Sequence, residues 1–124
     1  MDEPRPRPLF WVGASKKEYR SFPRDLRHDL GFLLYRVQAE LPVPNEKALN
    51  RGLLRGLGIR EISMDGEDGT YRVVYTVKLR AGVYVLHAFK KKSKHGIATP
   101  QHDIELIRER FAMAVRIDDA SAPL

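Results

Sequence analysis

Residues 84–100, YVLHAFKKKSKHGIATP, carry the densest chemistry in the chain: an apolar run that breaks into Lys90, Lys91, Lys92 and Lys94. A β-strand alternates its faces with period two, so in a strand ending here Lys91 continues the face of His87 and Phe89 while Lys90 and Lys92 point the other way. Ammonium groups this crowded repel one another unless an anion shares them. Crowding and desolvation also make a lysine release its proton more readily, which suits it to holding phosphate or moving a proton near neutral pH. Two readings follow from the segment alone: a nucleic-acid site, or a charged strand end that keeps a sheet edge soluble and unpaired.

Other chemistries find little support. The histidines, His28, His87, His95 and His102, fall in different expected elements, without H-E-x-x-H spacing or an acidic cluster, so neither a metal nor a cofactor is expected. With no cysteine, disulfides, thiolate ligands and a cysteine nucleophile are excluded. A nucleophile elbow, a P-loop and a dinucleotide fingerprint are all missing. Gly52, Gly56 and Gly58, interleaved with Arg51 and Arg55, match no phosphate loop; they read either as a solvated loop or as an extension of the basic surface.

A net charge of +6 and a pI near 9.8 make polyanions the first class of partner to consider. At 124 residues the chain is expected to form one domain with a modest core. No apolar run approaches the roughly 20 residues that span a bilayer, and the start, MDEPRPRP, lacks the apolar stretch of a signal peptide. A cytoplasmic protein is therefore expected.

The elements that must position these residues follow from periodicity and punctuation. Residues 1–8 form a Pro/Arg arm expected to be mobile, and residues 9–12, LFWV, a first strand with Trp11 in or beside the core. Ser15, three residues before Glu18, has the form of a capping box and opens a helix. Pro23 breaks it and starts a second one over residues 23–41, buried along Leu26, Leu30, Leu33, Leu34, Val37 and Leu41, with His28 on the solvated face. Residues 42–58 read as loop. Residues 59–64, 70–79 and 83–89 read as three strands, whose connections, a longer loop at 65–69 and a tight one at 80–82, favour antiparallel neighbours. Thr99 and Pro100 read as the N-cap and first position of a last helix over 99–116, with Ile104, Ile107, Phe111 and Val115 inward. Residues 9–116 thus make the domain and residues 117–124 a frayed tail.

The order strand, two helices, three antiparallel strands, helix resembles the RelE/ParE toxin superfamily. More closely, GIREISMDGEDGTYRVVYTVK and VYVLHAFKKKSKHGIATPQHDIELI resemble the phage-related branch of RelE/HigB-type toxins. Arg60-Glu61-Ile62, Tyr71-Arg72-Val73, His87-Ala88-Phe89 with Lys91-Lys92-Ser93, and Thr99-Pro100 match that branch's recurring segments in order. The passage over residues 94–98 is longer than in many members. The resemblance implies a small α+β fold (β-α-α-β-β-β-α), a mainly antiparallel sheet packed by two N-terminal helices and a C-terminal helix. It implies the toxin of a type II toxin–antitoxin system, a ribosome-dependent messenger-RNA endonuclease. Its partner would be an antitoxin of helix-turn-helix type in a hetero-oligomer. From another class, a ParE-like toxin would inhibit a topoisomerase such as gyrase without any catalysis.

Metal-free RNA cleavage by the 2′-hydroxyl needs a proton acceptor, cations for the phosphorane and a donor for the leaving oxygen. Glu61, sharing a strand face with Ile59 and Ser63, is the candidate acceptor, Arg72 the phosphate ligand, and Lys91 and Lys92 the charge or proton source. Lys90, Lys94, His87 and Arg55 are the expected RNA contacts. A glutamate and an arginine on central strands can also simply pair, and a histidine before Ala-Phe at a strand end can be structural.

Overall fold

The computed structural model describes residues 5–91 and 99–122. Five strands, β1 (Leu9–Trp11), β2 (Lys47–Ala48), β3 (Ile59–Gly66), β4 (Gly69–Thr76) and β5 (Val83–Lys91), form one sheet flanked by α1 (Ser15–Arg20), α2 (Arg24–Gln38) and α3 (Gln101–Ala120). The sheet order is β1-β5-β4-β3-β2, with β1 parallel to β5 and every other pair antiparallel. This is the expected α+β fold. It adds β2 and a 3-10 turn, Gly52–Leu54, in the segment that reads as loop.

β4 lies at the centre and is buried from end to end. Its alternation feeds two cores. Tyr71, Val73 and Tyr75 meet the α2 stripe of Leu26, Leu30, Leu33, Leu34 and Val37, while Val74 joins Tyr84, Leu86, Ile104, Ile107 and Ala114 under α3. The register with β5 shifts between Val74, which faces His87, and Tyr75, which faces Val85. Leu86 is the extra residue of this bulge. Strict alternation would send His87 into the apolar α2 layer beside Val83 and Val85; the bulge delivers it to the α3 face instead.

Several boundaries differ from the sequence reading. No capping box forms at α1: Ala14 is the cap, the Ser15 hydroxyl donates to Val85 O at 3.1 Å, and the Glu18 carboxylate turns to β5 and α3. α2 stops at Gln38, so Leu41 falls outside it and is exposed. β3 and β4 run on to a Gly66–Gly69 pair, which leaves a two-residue turn in place of the longer loop. Thr99 does not cap α3. Pro100 holds the cap position without a side-chain hydrogen bond.

Arg7 and the last turn of α3 are both tied into the fold. The Arg7 guanidinium donates to Val77 O and Leu79 O, each at 2.8 Å, and the Arg7 amide donates to Gln38 O, so the end of the Pro/Arg arm is tied to the sheet. α3 continues to Ala120 through residues expected to fray, because Asp118 is buried and accepts from the amides of Arg80 and Ala81 and from the Tyr84 hydroxyl. Burial pushes the Asp118 carboxyl up; those amide donors more than reverse it and leave its pKa below the usual carboxylate value. Among the described residues no helix is long and apolar enough to cross a membrane.

Candidate active site

Glu61 and Arg72 come together on the α3 face of the sheet. Glu61 stands opposite Val74 and Arg72 opposite Ser63, so the two are diagonal neighbours across β3 and β4. Arg72 NH1 donates to Glu61 Oε1 at 2.9 Å, with only 2% of the glutamate side chain and 8% of the arginine exposed. Two polar atoms of this pair, Glu61 Oε2 and Arg72 Nε, are buried without a hydrogen-bond partner.

Arg27 Nε, Arg60 Nε and Thr99 Oγ1 are buried and unbonded in the same way. A buried ion pair contributes little net stability against an apolar replacement. Each unbonded buried polar atom costs a further 1–3 kcal/mol, roughly.

The pair lines a cleft of about 280 Å³ together with Lys47, Ala48, Leu49, Asn50 and Arg51. β2 makes this wall: Lys47 pairs in register with Glu61 and Ala48 with Arg60, so a two-residue strand brings the cation to the edge of the acid–arginine pair. The β2 segment is held from the other side by Glu46, which accepts from the Tyr75 hydroxyl and pairs with Arg60 at 2.7 Å. Burial, followed by the bond to Glu46, raises the pKa of Tyr75 well above the ordinary phenol value. Lys47 and Asn50 were not legible as site residues, since two residues of strand carry no periodicity. Of the loop arginines, Arg51 lines the cleft; Arg55 is exposed outside it.

Lys91 stands opposite Thr70 and Arg72 opposite Phe89, which places Lys91 diagonal to Arg72 on the same face. Glu61, Arg72 and Lys91 therefore follow one diagonal across three strands. Lys90 does not join them. It turns to the α2 face, pairs with Asp68 at 2.6 Å and lies 6.0 Å from the Tyr71 ring centre. The hydrogen bond it donates to Asp68 holds its pKa above the usual lysine value, the reverse of what crowding among lysines would do. Lys92, Lys94 and His95 lie outside the described residues.

His87 is engaged inside the protein. Its Nδ1 lies 3.0 Å from Glu18 Oε1 and its Nε2 2.7 Å from Asp103 Oδ1, and the ring stacks on Phe89 at 4.8 Å. Arg110 closes the group by donating to both Glu18 oxygens, at 2.7 and 3.0 Å, and to Leu86 O. Burial raises the Glu18 carboxyl, but the Arg110 hydrogen bond and the His87 charge outweigh it and set its pKa below the usual value. This network ties α1, β5 and α3 together. Among the described residues no group of three or more His, Asp or Glu side chains is placed to hold a metal ion.

A family model described as phage derived protein Gp49-like (DUF891) matches residues 17–112, a span that contains Glu61, Arg72 and Lys91 with all of β2 to β5. No curated protein and no solved structure matches the chain.

Proposed function

The chain belongs to the phage-derived Gp49-like family, a RelE-like toxin family, and on that premise we propose that it is a toxin that cleaves ribosome-bound messenger RNA in the cytoplasm. The observation that carries the proposal is the Glu61–Arg72 pair lining a cleft rimmed by Lys47 and Arg51, with Lys91 on the same diagonal. The RNA 2′-oxygen attacks the adjacent phosphorus while the Glu61 carboxylate takes its proton. Arg72 holds the non-bridging oxygens of the phosphorane. The bond from phosphorus to the 5′-oxygen breaks, that oxygen receives a proton from Lys91 or Lys92, and the products are a 2′,3′-cyclic phosphate and a 5′-hydroxyl.

Glu61 is a weak base in ordinary terms, so rate must come from placing the 2′-hydroxyl in line and from fixed positive charge. That is the reason for requiring the ribosome, which would hold the message in the reactive geometry. The cognate antitoxin is proposed to be a small helix-turn-helix protein that packs on the helices and blocks entry to the ribosome by bulk.

Expression of the chain in bacteria, with mapping of message ends, tests the proposal. Growth arrest with messages cut to 5′-hydroxyl ends is expected. Glu61→Gln, which preserves shape and the bond from Arg72, is expected to abolish the cuts. Arrest with intact messages and damaged DNA would replace this reading with topoisomerase inhibition.

A further inference from the structure

The loop from β2 to β3 separates two clefts that share Ala48 and Asn50 as a common wall. The second cleft, of about 320 Å³, is completed by Gly56, Gly58, Arg60 and Lys78 among others. Its construction is specific. Gly58 has φ +71°, and a β-carbon there would fall 2.3 Å from Lys78 Cδ, so the lysine stem lies against the bare backbone of Gly58. Asn50 Oδ1 accepts from the Gly56 amide at 2.7 Å, which fixes the carboxamide on the ridge between the clefts with its NH₂ group left to donate.

The charges in this cleft are unequally committed. Arg60 is already paired with Glu46 at 2.7 Å. Lys78 is exposed and makes no ion pair among the described residues. Passing over the Asn50 ridge, a strand would therefore leave Lys47 and Arg51 in the first cleft and meet Lys78 in the second. A chain of phosphates is the ligand that such spaced single cations fit, because each neutralises one charge of a strand that passes from one to the next.

We infer that the second cleft is a subsite for the RNA strand: Lys78 holds the phosphate of a nucleotide neighbouring the cleaved one, and the Asn50 NH₂ donates to the strand as it crosses the ridge. The inference rests on the RNA-cleavage reading of the first cleft, with which the second shares Ala48 and Asn50. It also assigns a purpose to Gly58. Gly58 lets Lys78 lie flat across the loop, and any side chain there would both strain the backbone and push the ammonium away.

The test measures binding apart from cleavage. A short fluorescent single-stranded RNA is titrated by anisotropy over a range of salt concentrations with the full chain carrying Glu61→Gln, and then with Lys78→Ala, Lys78→Glu or Lys78→Arg added. Lys78→Ala is expected to weaken binding and to lower the slope of log affinity against log salt by about 0.7, the value for one phosphate contact to a single strand. Lys78→Glu should weaken it further and Lys78→Arg should restore it. Circular dichroism checks that each variant is folded. Unchanged affinity and slope in folded Lys78→Ala and Lys78→Glu would overturn the inference, including the case in which the cleft serves an acidic protein segment instead. Because this readout needs no turnover, failure of the wild-type chain to cut messages would reject the cleavage reading separately.

Discussion

Arg72→Ala should damage the fold as well as the site, and the size of the effect follows from the surroundings of Glu61. Its carboxylate is 2% exposed, Oε2 has no partner, and the bond from Arg72 to Oε1 is the hydrogen bond it has. Removing the guanidinium leaves a buried charge without compensation, at a cost of about 3–5 kcal/mol. A domain of this size has roughly 5–15 kcal/mol in total, so the variant would sit near its unfolding threshold. Replacing both partners by apolar residues of similar shape, Glu61→Leu with Arg72→Met, removes the charge and both orphan atoms. It should be neutral or stabilising by about 1–4 kcal/mol. Urea unfolding followed by fluorescence of Trp11, the one tryptophan, 5.3 Å from the Tyr19 ring, measures this. With an m-value of about 1.5 kcal/mol/M, Arg72→Ala should lower the midpoint by about 2 M or more, while the double variant keeps or raises it. Both should be non-toxic. The double variant is the informative one, since it separates lost chemistry from lost structure. If Arg72→Ala moves the midpoint by less than about 0.5 M, a quarter or less of the expected shift, the pair is not desolvated as described and the reasoning fails. If the apolar double variant folds stably and remains toxic, the pair is not the site.

Three further outcomes are expected. Asp118→Ala strips the partner from two amides and a phenol and should destabilise the chain by about 2–4 kcal/mol, with the loss of helicity at the end of α3 visible by hydrogen exchange. Glu18 and Asp118 have folded pKa values below their ordinary 4.5 and 3.8, so the unfolded chain binds more protons through that range. The stability they supply is full above about pH 5 and falls as the pH drops through the folded values; thermal melts from pH 7 to 3 that show no decline would contradict the network. Leu30→Ala, at a fully buried position beneath α2, should cost about 2–5 kcal/mol with no effect on RNA affinity of the folded protein, measured by unfolding and by anisotropy.

What was legible in advance was what local pattern encodes. The α2 stripe of Leu26, Leu30, Leu33, Leu34 and Val37 and the alternation of β3, β4 and β5 each repeat several times within one segment, and a repeated period survives small errors at its ends. The pairing of Glu61 with Arg72 was open as a possibility because both sit on adjacent strands with readable faces. Their joint burial and their two unbonded atoms were not, since these depend on what covers the sheet.

The sequence by itself determined the three helices and the strands β1, β3, β4 and β5, the α+β class, the basic character and the face relation between His87 and Lys91. Only the tertiary structure decided which charges meet. Glu18 offers a capping box to its own helix, yet Arg110, 92 residues away, is the stronger partner for a half-buried carboxylate. Lys90 and Lys91 are adjacent in the chain, and the pleat sends one to Asp68 and the other toward Arg72. Lys47 reaches the cleft through a strand of two residues, too short for any period to announce. In each case the competing local choice was within a few kcal/mol, and a contact made across the fold was enough to settle it.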